Sequence, residues 1–76
     1  MIKELDTVVL AKDLKGYRLK RGDVGAVVHV YEENKAFEIE FVTGEGDTVA
    51  VATLSAEDVR PMRRADILHV REYATA

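Results

Sequence analysis

Between Ala36 and Val42 the chain reads AFEIEFV, and this alternation limits the fold more than any other stretch. Phe37, Ile39 and Phe41 take every second position, with Glu38 and Glu40 between them. Successive side chains of a strand point to opposite faces, so the apolar residues share one face and the glutamates the other. EENK precedes the stretch and TGEGD follows it, two segments with turn chemistry. With EENK as a four-residue hairpin loop, Tyr31 faces Ala36. Val30 then meets Phe37, Val28 meets Ile39 and Ala26 meets Phe41. Across TGEGD, Phe41 meets Val49 and Ile39 meets Val51. Both hairpins turn the same phenylalanine and isoleucine inward, and a slip of one residue would bury Glu38 and Glu40.

The rest of the chain is β as well. Leu5 to Leu10 is short and β-branched, a first strand. Residues 11–23 have no sustained period and form a long loop with Leu14, Tyr17 or Leu19 as apolar anchor. Val24 to Tyr31 and Thr48 to Leu54 are the second and fourth strands. Ser55-Ala-Glu-Asp predicts a short helical turn with Ser55 as N-cap, and Val59-Arg60 a brief last strand stopped by Pro61. Gly22 and Gly25 flank the point where the first loop bends into the second strand, where close backbone approach favours glycine. Five short strands, a long first loop, two tight hairpins and a helical turn describe an all-β, five-stranded SH3-like barrel over residues 1–61. Residues 62–76 are then an ordered C-terminal extension. ILHVREY, after RRAD, places apolar residues at Ile67, Leu68 and Val70. It reads as a short helix capped by Asp66 or as an added strand on an exposed barrel edge, in its own chain or a neighbour.

Several function classes are set aside on composition. A chain of 76 residues is one domain, and a domain that small buries only roughly 60% of its unfolded surface. It has no cysteine, so neither disulfides nor thiolate metal sites support the core. No apolar run approaches the ~20 residues of a membrane span, and the charged start MIKELD is unlike a signal peptide. A cytoplasmic location follows as the expectation. The net charge of −3 is unevenly spread. Residues 1–31 hold six basic and four acidic side chains, residues 32–58 one and eight, residues 59–76 four and two. An acidic middle lies between basic flanks, so a fold that joins the termini is electrically polarised.

The runs LKRGDVGAVVHVY, FEIEFV and LSAEDVRP, with an ILHVRE-like tail, resemble a small prokaryotic family known only as a domain of unknown function. That resemblance implies an SH3-like barrel. It also implies a single-domain protein, in some members beside toxin-like genes, and hence a role as antitoxin, immunity partner or accessory subunit. Over residues 19–42 the chain is similar to KOW-type barrels of RNA-associated proteins and to the β-subunit barrel of nitrile hydratases. Both share the corner glycine and the valines that the fold itself demands, so neither transfers a function.

Candidate sites follow from faces and charge. In the expected register Val27, His29, Tyr31, Val42, Ala50 and Ala52 lie on the outer face, an apolar strip suited to a protein partner or self-association. His29 stands opposite Glu38, a cross-strand pair without a nucleophile beside it. Lys12, Lys15, Arg18, Lys20, Arg21, Arg60, Arg63 and Arg64 merge into one basic patch if the last strand returns to the first. That patch suits an acidic protein surface, or RNA through its phosphates. The sequence pI of about 5.3 and a single aromatic, Tyr17, within the loop weigh against RNA. His29 and His69 lack ligand spacing, and the acids lack the pattern of a calcium loop. No nucleophile–base pair, metal cluster or cofactor loop is readable, so no catalytic, cofactor or metal residues are assigned. The expectation is a non-enzymatic protein-interaction module. The alternative is an RNA-binding KOW-like barrel using the basic first loop.

Overall fold

A computed structural model describes residues 1–73. Five strands follow in chain order: β1 (Thr7–Leu10), β2 (Val24–Val30), β3 (Ala36–Val42), β4 (Thr48–Ser55) and β5 (Val59–Pro61). Short 3-10 turns at Lys15–Tyr17 and Glu32–Asn34 interrupt the first two connections. The strands make one open antiparallel sheet in the order β4-β3-β2-β1-β5, the all-β SH3-like arrangement expected. Pro61 ends β5 on the outer edge of the sheet, where a missing N–H breaks no ladder.

The core gathers one face of the curled sheet. Phe37, Ile39 and Phe41 are buried, and Val8, Leu10, Val27, Ala52, Leu54 and Val59 close around them. Leu19 is the anchor from the first loop, buried with the core. It is held by two backbone bonds to Leu14, which fold the loop back on itself (Leu14 N to Leu19 O 2.8 Å, the reverse 3.1 Å). Glu38 and Glu40 stay half-buried on the other face.

The pairings depart from the expected register at two bulges. Val30 faces Phe37 and His29 faces Glu38 as expected, but beyond Val28 the partners shift, so that Val27 faces Ile39 and Ala26 faces Glu40. Val28 is the extra residue, and parity before it reverses: Val27 is buried at 0% exposure and Val28 is open at 43%. Gly25 gives the physical reason. A Cβ there would lie 2.6 Å from Ile39 Cγ2, 2.8 Å from Phe41 Cε1 and 3.0 Å from Glu40 O. Only glycine fits beneath those side chains, and Ala26 in that place would push its methyl into them. The bulge then returns Val30 to the inside, over Phe37.

A second bulge lies at Val49, because Val42 faces Thr48 while Phe41 faces Ala50. Small residues therefore meet large ones: Ala50 opposes Phe41 and Ala52 opposes Ile39. The same shift seats Leu54 over Phe37 and leaves Thr53 outside, its hydroxyl donating to Glu38. Val27 and Ala52 are thus core residues and Ala50 packs half-buried against the core, not on the outer strip where the unbulged register put them.

Two local expectations change as well. After Ser55 the chain makes a turn rather than a helix, and Asp58 supplies the cap. Its carboxylate accepts from the Ser55 N–H (3.1 Å) and hydroxyl (3.0 Å). Residues 62–73 form neither a sixth strand nor a helix. Asp66 closes a turn by accepting from Arg63 N at 2.7 Å, and irregular chain follows to residue 73. The expected extension runs to residue 76, and its last three positions lie outside the described residues.

Candidate functional site

β4 ends the sheet. One side pairs with β3 along its length, and among the described residues no strand lies on the other. Its sequence, TVAVATLS, has eight residues without a charge or a proline. Natural edge strands are guarded by lysine, proline, bulges or short length. Here the one bulge sits at Val49 near the start, and Ala50–Ser55 run regularly. Val51, 47% exposed, projects to the outer face beside Glu40. Sequence reasoning missed this edge. The signal was present in the absence of charge from residues 48–55, but it becomes telling only once the strand order makes β4 terminal.

The outer face beside that edge is acidic with apolar points. Glu38 takes the Thr53 hydroxyl and Glu40 the Thr48 hydroxyl (2.6 Å), so both carboxylates are held over β3 and β4. Glu45 and Asp47 project from the exposed hairpin tip. Of the six residues predicted for the face, the structure leaves His29, Tyr31 and Val42 exposed, and it adds Val28 and Val51. The His29 and Tyr31 rings meet edge-on at 4.6 Å, and His29 Nδ1 lies 3.9 Å from Glu4 Oε2 rather than pairing with Glu38.

The basic residues gather around β1, the first loop and β5, and Lys12 and Arg60 are committed to structure. Lys12 pairs with Asp58 at 3.1 Å. Partial burial opposes the Asp58 charge, yet the Ser55 N–H, the Lys12 ammonium and the Ser55 hydroxyl together hold its carboxyl below the usual carboxylate value. Arg60 grips Asp66 with both terminal nitrogens (2.9 and 3.3 Å). Those bonds, with the Arg63 N–H, lower the Asp66 pKa and raise that of Arg60. Lys15, Arg18, Lys20, Arg21, Arg63 and Arg64 are exposed. Arg18 caps the first 3-10 turn in the left-handed conformation (φ 59°).

The tail crosses the end of the barrel. Arg71 Nε donates to Asp23 Oδ1 at 2.9 Å, its Nη2 reaches Asp23 Oδ2 and Arg18 O, and the Tyr73 hydroxyl donates to Tyr17 O at 2.8 Å. Partial burial opposes the Asp23 charge, but Arg71 and the Lys20 N–H outweigh it and lower its pKa. Between this strap and Leu19, Val24, Phe41 and Val49 lies a cleft of about 690 Å³. Ile67, Leu68 and Val70, predicted to order the tail, are 90%, 68% and 90% exposed. Asp66, Arg71 and Tyr73 hold it instead, through Arg60, Asp23 and the Tyr17 carbonyl.

No helix among the described residues is long and apolar enough to cross a membrane. A family model described as Domain of unknown function (DUF4926) matches residues 4–61, from just before β1 to the end of β5, so the ILHVRE tail lies beyond the match. No curated protein and no solved structure matches the chain.

Proposed function

The chain belongs to the DUF4926 family, and from that premise we propose that it is a non-enzymatic interaction module that takes a segment of a partner protein as an added strand on β4. The observation that carries this reading is the eight-residue uncharged strand with one open edge. Strand addition draws affinity from main-chain hydrogen bonds and specificity from alternate side chains. The specificity elements are Val51 on β4 and, on the neighbouring β3, the outward carboxylates of Glu38 and Glu40. They favour a partner segment with an apolar residue flanked by lysine or arginine. A cytoplasmic partner encoded by a neighbouring gene, with this chain as antitoxin, immunity protein or accessory subunit, fits the same surface.

The test is isolation of the partner from the native host, then binding of the purified pair. Val51→Lys places a guarding charge on the open edge without touching the core. It is expected to weaken binding about tenfold or more. No partner, or a partner that binds both forms equally, refutes the reading. RNA binding through the basic loop has less support, because Lys12 and Arg60 are engaged by Asp58 and Asp66. An RNA probe whose binding falls steeply with salt and with Lys20→Glu/Arg21→Glu would move the function to that loop.

A further inference from the structure

Residues 67–70 are held in an unusual way. The stretch is pinned at both ends by ion pairs, Arg60–Asp66 before it and Asp23–Arg71 after it. Between the pins the chain makes no strand, helix, turn or bend, and among the described residues no backbone bond outside the strands and helices involves residues 67–73. Ile67, Leu68 and Val70 face solvent. A segment with open backbone groups and open apolar side chains, fixed at its two ends, is half of a strand pairing. The other half is on the same molecule. β4 has an open edge, an apolar outward residue at Val51 and no charge of its own.

We propose that the displayed segment Ile67–Val70 of one copy pairs as an added strand along the β4 edge of a second copy. This names the partner of the docking edge described above and rests on that reading. Three features select a second copy. The lengths are compatible, since the four residues Ile67–Val70 fit along the eight of β4. The charges are opposite: Arg63 and Arg64 precede the segment, Asp66 and Arg71 are neutralised by Arg60 and Asp23, and Glu72 follows, while Glu38, Glu40, Glu45 and Asp47 flank the edge. The apolar surfaces are complementary, because pairing covers Val51 together with side chains of the segment. Arg71 and Asp66 keep their own partners throughout, so no part of the barrel has to open. The contact is heterologous, tail to edge, and reciprocal exchange closes a dimer.

The experiment follows mass in solution for the full chain up to millimolar concentration, alone and as two variants. Val51→Lys blocks the edge. Val70→Pro removes an N–H from the displayed segment at a residue with no backbone bond among the described residues. The wild type is expected to double its mass with rising concentration. Each variant alone is expected to stay a single chain, and an equimolar mixture of the two to form a one-to-one complex, because each supplies what the other lacks. In the wild type, the outward amides of Ala50–Ser55 and those of residues 67–70 are expected to gain protection from hydrogen exchange as the mass doubles. A wild type that stays single, a Val51→Lys chain that still associates, or a mixture that stays single overturns the proposal. If the wild type stays single while Val51→Lys still loses a purified host partner, the docking edge stands and only the second copy falls. If Val51→Lys alters neither, both fall.

Discussion

Gly25→Ala tests the packing from which the register follows. The added methyl meets Ile39 Cγ2 at 2.6 Å and Phe41 Cε1 at 2.8 Å, distances that real Cβ atoms do not tolerate, and the Glu40 carbonyl at 3.0 Å. The two side chains can shift only within a closed core, and the carbonyl belongs to the β3 ladder. Overpacking of this kind costs about 1–3 kcal/mol. Gly25 does not lie in the left-handed region, so alanine recovers about 0.4–1 kcal/mol by narrowing the unfolded ensemble. The net loss lies between about 0 and 2.6 kcal/mol, about 1.3 kcal/mol at the middle of both ranges, against a total of about 4–11 kcal/mol for a domain of this size. In a thermal scan the middle value is a fall of about 5–10 °C. Urea unfolding is the sharper assay, since a loss of packing lowers the midpoint at constant m. Gly16→Ala is the control, with nothing within 4 Å of its Cβ, and is expected to be neutral or slightly stabilising. Ile39→Leu removes the nearest methyl and should couple to Gly25→Ala by ~0.5 kcal/mol or more in a double-mutant cycle. A Gly25→Ala chain as stable as the wild type would place residue 25 away from Ile39 and Phe41 and remove the cause assigned to the Val28 bulge.

The same bulge separates two adjacent valines. Val27→Ala should cost about 2 kcal/mol and Val28→Ala no more than about 0.5 kcal/mol in urea unfolding, and equal costs would contradict the parity change. Acid should destabilise the fold. Asp6, Asp23, Asp58 and Asp66 all have lowered pKa values in the folded chain. Their contribution is therefore complete above the ordinary carboxylate value of ~3.9 and is lost as pH falls through the lower folded values. The urea midpoint should be level from neutrality to about pH 5 and drop below about pH 4, and a midpoint that rises on acidification would reverse the sign. Asp23→Asn should loosen the strap: a half-buried pair worth ~1 kcal/mol changes the open population roughly fivefold. Trypsin cleavage after Arg71 should quicken accordingly, and an unchanged rate would show that the pair does not hold the tail.

Sequence patterning reached the strand count and the inward set of β3, because each rests on local alternation, whereas it left Leu14, Tyr17 and Leu19 open as the anchor of the first loop. It missed the bulges, because hairpin arithmetic assumes one partner per residue. The correcting signals were in view. Gly25 inside an apolar strand marks a close approach as readily as a corner, and the unbulged register of β4 turns Thr53 inward and Leu54 outward. The tail was harder. Ile67, Leu68 and Val70 look like core residues by hydropathy alone, and nothing in their spacing distinguishes residues that pack from residues on display. What holds the tail is Arg71 to Asp23, a contact across 48 positions that no local pattern encodes.

The strand order also gives the charge pattern its meaning. β3 and β4 carry the acidic middle of the sequence and lie at one end of the sheet, while β1, the first loop and β5 carry the basic flanks toward the other. Segregation along the chain thereby becomes segregation in space. Two copies that meet at their acidic ends repel, although a symmetric β4-to-β4 pairing leaves Glu38 and Glu40 of the two chains about 14 Å apart, across both β4 strands. A contact that brings a tail preceded by Arg63 and Arg64 onto β4 sets opposite charges together. Salt separates these cases by sign: screening strengthens an edge-to-edge association and weakens a tail-to-edge one. The apolar share, from Val51 against the displayed segment, is indifferent to screening. Association that weakens with salt and then levels off is the signature of the tail-to-edge contact, and association that grows with salt refutes it.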